Sequence, residues 1–178
     1  MRFRRATDSD LDELIEFYGR ISDAMIGTPF DCMWRRGGHP GSDMLANAVS
    51  AGTLTVSEDT NSIAAAVIVN HVFENPESYD FPWLVDCPRD EALVVHVLAT
   101  APEYRGAGIV RDLLFHVIDT AHSQNMRSLR LEAAVNNTPA VKLYESCGFA
   151  PYHCGQEVLG GTGWWMRWPW NAPSDQSD

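Results

Sequence analysis

Residues 102–115 set two glycines two apart, Gly106 and Gly108, straight after Arg105 and straight before the apolar-periodic run from Ile109 to Phe115. Glycine lets backbone N–H groups approach an anion closely, and a helix beginning here adds the positive end of its dipole. That spacing is a phosphate seat, so the chain is expected to bind a phosphate-bearing cofactor at this point. Upstream, His96 lies in a β-rich run that ends at Thr100. A histidine titrates near neutral pH, which suits a general base acting directly or through water. The bland alternative is a hydrogen-bonded core histidine between Val95 and Val97. Simple alternation along a strand puts His96 on one face with Leu98 and Thr100.

These groups need elements to carry them. Thr7-Asp8-Ser9-Asp10 reads as a helix start close to a capping box, and Leu11, Leu14, Ile15, Tyr18 and Ile21 continue at helical spacing to about residue 24. Residues 25–41, with four glycines and two prolines, read as loop, and a short helix is expected over about 42–50. Two β-rich segments, 53–57 and 63–71, flank a turn-forming stretch. Residues 72–91 read as a long irregular segment with six acidic residues and one arginine, the kind of insertion that is usually functional. A strand at 92–100, the glycine turn and a helix from about residue 106 to 123 follow. Period-two alternation then gives a strand at 129–135, and Asn136-Asn137-Thr138-Pro139 opens a helix that ends at Gly148. Segments 149–158 and 164–168 read as a closing pair of strands. The class is therefore α+β: a single mixed, central β-sheet flanked by helices. One domain is expected over 1–170, with a polar, frayed tail at 171–178.

Composition bounds the function. A net charge of −11 argues against nucleic acid and against anionic membrane surfaces, since both need clustered Lys and Arg, and it suits a cationic amine. No apolar run approaches membrane-spanning length, and the basic start Met1–Arg5 lacks the apolar stretch of a signal peptide. Cys32, Cys87, Cys147 and Cys154 are scattered without metal-ligand spacing, which reads as reduced thiols in a cytoplasmic protein with no metal site.

Two stretches carry a resemblance. Leu98 to Ile109, with Arg105-Gly106-Ala107-Gly108, resembles the acetyl-CoA signature (Arg or Gln-x-x-Gly-x-Gly or Ala) of the GNAT superfamily of N-acetyltransferases. About 30 residues on, Asn137 to Phe149 resembles its second signature, Asn-x-x-Ala-x-x-x-Tyr-x-x-x-Gly-Phe. The match is close over 92–149, and the N-terminal half agrees in element order. The resemblance implies a GNAT-like acyl-CoA N-acyltransferase fold with splayed central strands and acetyl-CoA as co-substrate. It assigns the backbone of Leu98, Ala99 and Thr100 to the pantetheine arm, with a main-chain N–H near Leu98 polarising the thioester carbonyl. It places Arg105, Gly106, Ala107, Gly108, Ile109 and Val110 around the diphosphate. Val110 stands where the family has Gly or Ala; its β-branched side chain either crowds the diphosphate or faces the core with Leu113, Leu114 and Val117, and the core reading is preferred.

Tyr144 matches the family's general acid, a phenol that stays protonated at neutral pH. The alternative is an apolar-face residue beside Val141 and Cys147. Asn137 is expected to cap its helix and to contact the pantetheine arm. Glu132 stands where ribosomal-protein alanine acetyltransferases carry a glutamate base; an ion pair with Arg130 would equally account for it. Glu132 and His96 stay open as the base, with Glu91 and Asp90 behind them. Trp34 and Trp83, with Asp80 and Asp86, either hold an amine or anchor their loops, and Trp164, Trp165, Trp168 and Trp170 read as core or dimer contacts. The implied activity is acetyl transfer to a primary amine, either a small molecule or a peptide N-terminus or lysine, by direct attack in a ternary complex. Its rivals are a non-catalytic CoA-binding module and a transferase of a larger acyl group. A homodimer stays open.

Overall fold

The computed structural model describes residues 1–60, 62–74, 78, 80, 83, 85–134, 136–158 and 161–169, with the last two strands described by their backbone pairing. Seven strands form one sheet in the order β1-β2-β3-β4-β5-β7-β6: β1 (Arg2–Arg5), β2 (Leu54–Asp59), β3 (Ser62–Asn70), β4 (Ala92–Thr100), β5 (Ser128–Ala134), β6 (Ala150–Val158) and β7 (Gly161–Pro169). Every pairing is antiparallel except that of β4 with β5. A parallel pair needs a crossover, and α3 (Ile109–Ser123) supplies it. The mixed α+β sheet expected from the sequence is thus present. Trp164, Trp165 and Trp168 fall on β7, but their side chains lie outside the described residues, as do Trp170 and the tail.

The helices divide between the two faces. α1 (Leu11–Met25) and α2 (Ser42–Ser50) bury Leu14, Phe17, Tyr18, Ile21, Leu45, Ala48 and Val49 with Leu54, Val56, Ile63, Ala66 and Ile68 of the sheet. On the opposite face α3 and α4 (Thr138–Ser146) enclose Leu93, Val95, Leu113, Leu114, Val117, Leu129, Leu131, Tyr144 and Phe149. A fully buried Leu or Val contributes about 1.5–3 kcal/mol through removal from water, so these two clusters are what fixes the sheet between its helices. The phase of α1 differs from expectation: Ile15 is exposed and Phe17 is buried, because the inward stripe runs through 14, 17, 18 and 21. Asp10 closes the start of α1 by accepting the Thr7 N–H at 2.7 Å and a bidentate pair from Arg4, which brings its carboxyl down to about 2.

Two irregularities shape the centre of the sheet. First, β4 and β5 pair only from Ala92↔Ser128 to Val95↔Leu131; beyond that level β4 stays with β3 while β5 stays with β7, and the strands part. Second, β4 carries a bulge. Ile68 lies opposite His96 but Ala66 lies opposite Ala99, so two residues of β4, Val97 and Leu98, face one of β3. Val97 takes φ +44, a conformation that costs a β-branched residue about 1–3 kcal/mol and persists only where its surroundings impose it.

Candidate active site

The bulge inverts the alternation of β4. Leu93 and Val95 pack toward α3, whereas Val97 and Ala99 face α1 and α2.

 Ala99 thus joins Val97 in the cluster under α1, and Leu98 packs on the α3 side. His96 therefore does not share a face with Leu98 and Thr100, as simple alternation predicts. The inserted residue puts His96 on the face away from α3, and Leu98 and Thr100 on the face toward it.

On the α3 face the glycine turn is shaped for an anion. The helix begins at Ile109, three residues later than its spacing suggests, because Gly106 and Gly108 both sit at φ +79 and cannot be helical. Open space surrounds the position a Cβ would take at either glycine. Among the described residues no backbone hydrogen bond takes up the N–H groups of Gly106, Gly108, Ile109, Val110 or Arg111, the donors that the first turn of a helix leaves over. Ile109, not Val110, is buried beside Leu113 and Leu114; Val110 is half-buried, which corrects the core reading of that residue. The buried Thr100 hydroxyl, at the end of β4, has no partner among the described residues. An orphaned hydroxyl next to a strand edge left open by the splay fits the polar arm of coenzyme A, as the free N–H groups fit its diphosphate.

Tyr144 reaches the same side from α4, with its ring 5.9 Å from that of Phe149. Burial, and then the nearby Cys32 and Cys147, push its hydroxyl well above the usual phenol range, so it stays a proton donor. Asn137 caps α4 by accepting the Ala140 N–H at 3.4 Å.

On the other face His96 and Glu132 stand one residue past Val95 and Leu131, at the level where β4 and β5 separate. Asn70 Oδ1 accepts the Val72 N–H at 2.8 Å and lies 3.0 Å from His96 Nε2, which donates to it. His96 Nδ1 then faces Glu74 Oε1 at 3.4 Å, and His39 lies 3.8 Å from the other oxygen of Glu74. His96, with the charge of His39, holds the Glu74 carboxyl below its usual range. Glu132 moves the other way. Burial, opposed by the 2.7 Å hydrogen bond from Ser78 Oγ and reinforced by the negative charge of Glu74, pushes its carboxyl up to about 7.

Glu132 forms no ion pair with Arg130 among the described residues, contrary to one of its two readings. Arg130 is buried and points elsewhere. It donates to Val85 O at 3.0 Å and Ser128 Oγ at 3.1 Å, and its guanidinium lies 4.7 Å above the Trp83 ring. Trp83 in turn stacks on Phe73 and donates to Ser78 O at 2.9 Å. Trp83 anchors its segment, the blander of its two readings, and the segment thereby sets Ser78 against Glu132. Trp34 packs edge-on against Tyr18 and His39. Asp80, Asp86, Asp90 and Glu91 stand outside these contacts to Glu132 and His96; Glu91 pairs with Arg127. Sequence reasoning missed Asn70, Glu74, Ser78, His39 and the tie from Asn136 Nδ2 to Asp31 O (2.9 Å), all in loops or at strand ends where spacing carries no periodic signal.

A mixed sheet parted at its parallel pair, with a glycine turn on one face and titratable groups on the other, has the architecture of acyl-CoA N-acyltransferases. The profile of the Acetyltransferase (GNAT) family matches residues 28–149, more than half of the chain, and the chain belongs to that family. It is 40% identical over 60 residues to the [Ribosomal protein bS18]-alanine N-acetyltransferase of Escherichia coli, covering 34% of this chain and 40% of that protein. The chain thus spans about two fifths of the curated relatives it matches first. The GNAT-family acetyltransferase of Streptococcus agalactiae shares the fold with a TM-score of 0.76 and 20% identity, over 94% of each chain. The Salmonella typhimurium protein yncA, solved with its cofactor acetyl-CoA, does so with a TM-score of 0.68 and 17% identity, over 98% of this chain and 96% of that one. Among the described residues no group of His, Cys, Asp or Glu is placed to hold a metal ion, and no helix is long and apolar enough to cross a membrane.

Proposed function

We propose that the chain is an N-acetyltransferase that moves the acetyl group of acetyl-CoA to a primary amine by direct attack in a ternary complex. One observation carries this reading: the strands part with anion-binding N–H groups on one face and a carboxyl titrating near 7 on the other. Bound acetyl-CoA supplies an acyl group activated as a thioester. The N–H groups from Gly106 to Arg111 hold its diphosphate, and the open edge of Leu98, Ala99 and Thr100 receives its pantetheine arm. The Leu98 N–H polarises the carbonyl as negative charge develops there.

Glu132 is the base. It is ionised in a large fraction of molecules at neutral pH, yet basic enough to take a proton from an ammonium. The Nε2 of His96 is taken up by Asn70 and its Nδ1 lies 3.4 Å from Glu74, so in this reading His96 positions Glu74 and Glu132 takes the proton. The Glu74 carboxylate attracts the incoming cation. Tyr144 protonates the departing thiolate, a role suited to a phenol that burial keeps neutral.

The acceptor is a primary amine, on a small molecule or at a peptide N-terminus or lysine. The named activity of the Escherichia coli relative, on an alanine of a ribosomal protein, supports including peptide N-termini. The free thiols of Cys32, Cys87 and Cys147 support a reducing, cytoplasmic setting. The test is release of coenzyme A thiol from acetyl-CoA across a panel of peptide N-termini, lysine peptides and small amines. Turnover that falls with Glu132→Gln and Tyr144→Phe is expected. Calorimetric binding of acetyl-CoA without turnover on any amine would instead mark a non-catalytic module.

A further inference from the structure

Tyr18 lies in the middle of α1 and is 1% exposed, its ring 4.9 Å from Phe17 and 6.0 Å from Trp34. A buried phenol needs a hydrogen-bond partner, and this one has a specific choice: its hydroxyl donates to the carbonyl of Val97 at 2.9 Å. Four non-glycine residues among those described have positive φ, and Val97 alone of them lies inside a strand. Both Val97 and Leu98 are also skipped in the register between β3 and β4.

The Val97 carbonyl and the Leu98 N–H belong to one planar trans peptide, so they point in opposite directions. A carbonyl drawn toward α1 by Tyr18 therefore forces the Leu98 N–H away from α1, toward the face where Leu98 packs with the α3 cluster. That is the face of the glycine turn. We propose that Tyr18 is a positioning residue: by pinning the Val97 carbonyl, its hydroxyl aims the Leu98 N–H at the acetyl carbonyl. The inference rests on the acetyl-transfer reading for its consequence in rate, and on the peptide geometry alone for its consequence in structure.

The test is Tyr18→Phe, which keeps the packed ring and removes the hydroxyl. Hydrogen bonds weaken steeply with misalignment, so kcat is expected to fall about tenfold while KM for acetyl-CoA and for the amine stay within about twofold. Adding Val97→Gly should restore part of kcat, because glycine adopts the left-handed conformation without steric cost. In the free protein, the three-bond HN–Hα coupling of Val97 should move toward its extended-strand value in Tyr18→Phe. An unchanged coupling would overturn the inference. So would a loss confined to KM and melting temperature, or a kcat loss that Val97→Gly leaves untouched. If the unsubstituted protein turns over no amine, the acetyl-transfer reading fails, and the Val97 coupling still decides whether Tyr18 sets this peptide.

Discussion

Replacing Glu132 with Gln separates its charge from its shape. Gln keeps a carbonyl oxygen for the 2.7 Å hydrogen bond from Ser78 and cannot ionise. In the native protein the Glu132 carboxyl lies at about 7 instead of its ordinary 4.5. Below pH 4.5 the folded and unfolded forms are both neutral and the contribution of the neutral carboxyl is fully present. As pH rises, the unfolded chain loses its proton first, and by the time pH has passed about 7 the folded form bears the full cost of a charge kept from water. With allowance for the part of the side chain that water reaches, that cost is about 2–3 kcal/mol. For a chain of this size it corresponds to about 5–10 °C in melting temperature. Calorimetric melting of the native and Gln proteins from pH 4.5 to 8 should therefore show a gap that widens toward high pH in favour of Gln. Over the same range the Gln protein should lose kcat/KM by about a hundredfold and lack the acid limb near pH 7 that a Glu132 base should give the native protein. A melting-temperature gap that does not change with pH would refute the perturbed carboxyl, and an acid limb that survives the substitution would refute its role as base.

Tyr144→Phe should lower kcat by about ten- to a hundredfold with acetyl-CoA affinity intact, since only the proton to the thiolate is lost; steady-state kinetics beside calorimetry would read both. Gly108→Ala meets no neighbour within 4 Å, so its cost is conformational, about 1–2 kcal/mol at φ +79. It should weaken coenzyme A binding by about tenfold, as a misaligned helix start no longer presents its N–H groups. Arg130→Lys removes the planar group that both stacks on Trp83 and reaches Val85 O. It should cost about 1–3 kcal/mol in denaturant melts and raise KM for the amine, not for acetyl-CoA, because Ser78 is held through Trp83.

The glycine turn was legible because its signal is local: a residue type, a spacing and a backbone conformation all within four positions. The Asn137 cap and the alternation of β5 were legible for the same reason. Regular alternation predicts the wrong face for His96 because nothing in the type of Val97 announces a left-handed conformation; a β-branched residue in a valine-rich strand argues for regular pleating. That conformation is imposed from α1, 79 residues away in sequence. The pairing of Arg130 with Glu132 failed in a similar way. Two charges of opposite sign at i and i+2 share a strand face, but the 72–91 segment offers each of them a better-shielded partner. Apolar spacing predicts Ile15 on the inward stripe, but Phe17 lies there, since a helix phase read from apolar residues alone is ambiguous by one position. Glu74, Ser78 and Asn70 come together from segments without periodicity, and their meeting is a property of the folded chain.

The extra residue in β4 lets one nine-residue strand present the same parity of positions to both faces of the sheet. Ahead of it, even-numbered positions face away from α3; behind it, they face toward α3. Loss of a single residue there would restore even pleating and exchange the two linings, so length at this point should tolerate far less change than side-chain identity does. Under the proposed function, the same division would let substitutions at 94 and 96, or in the 72–91 segment, change acceptor preference while leaving the glycine turn as it is.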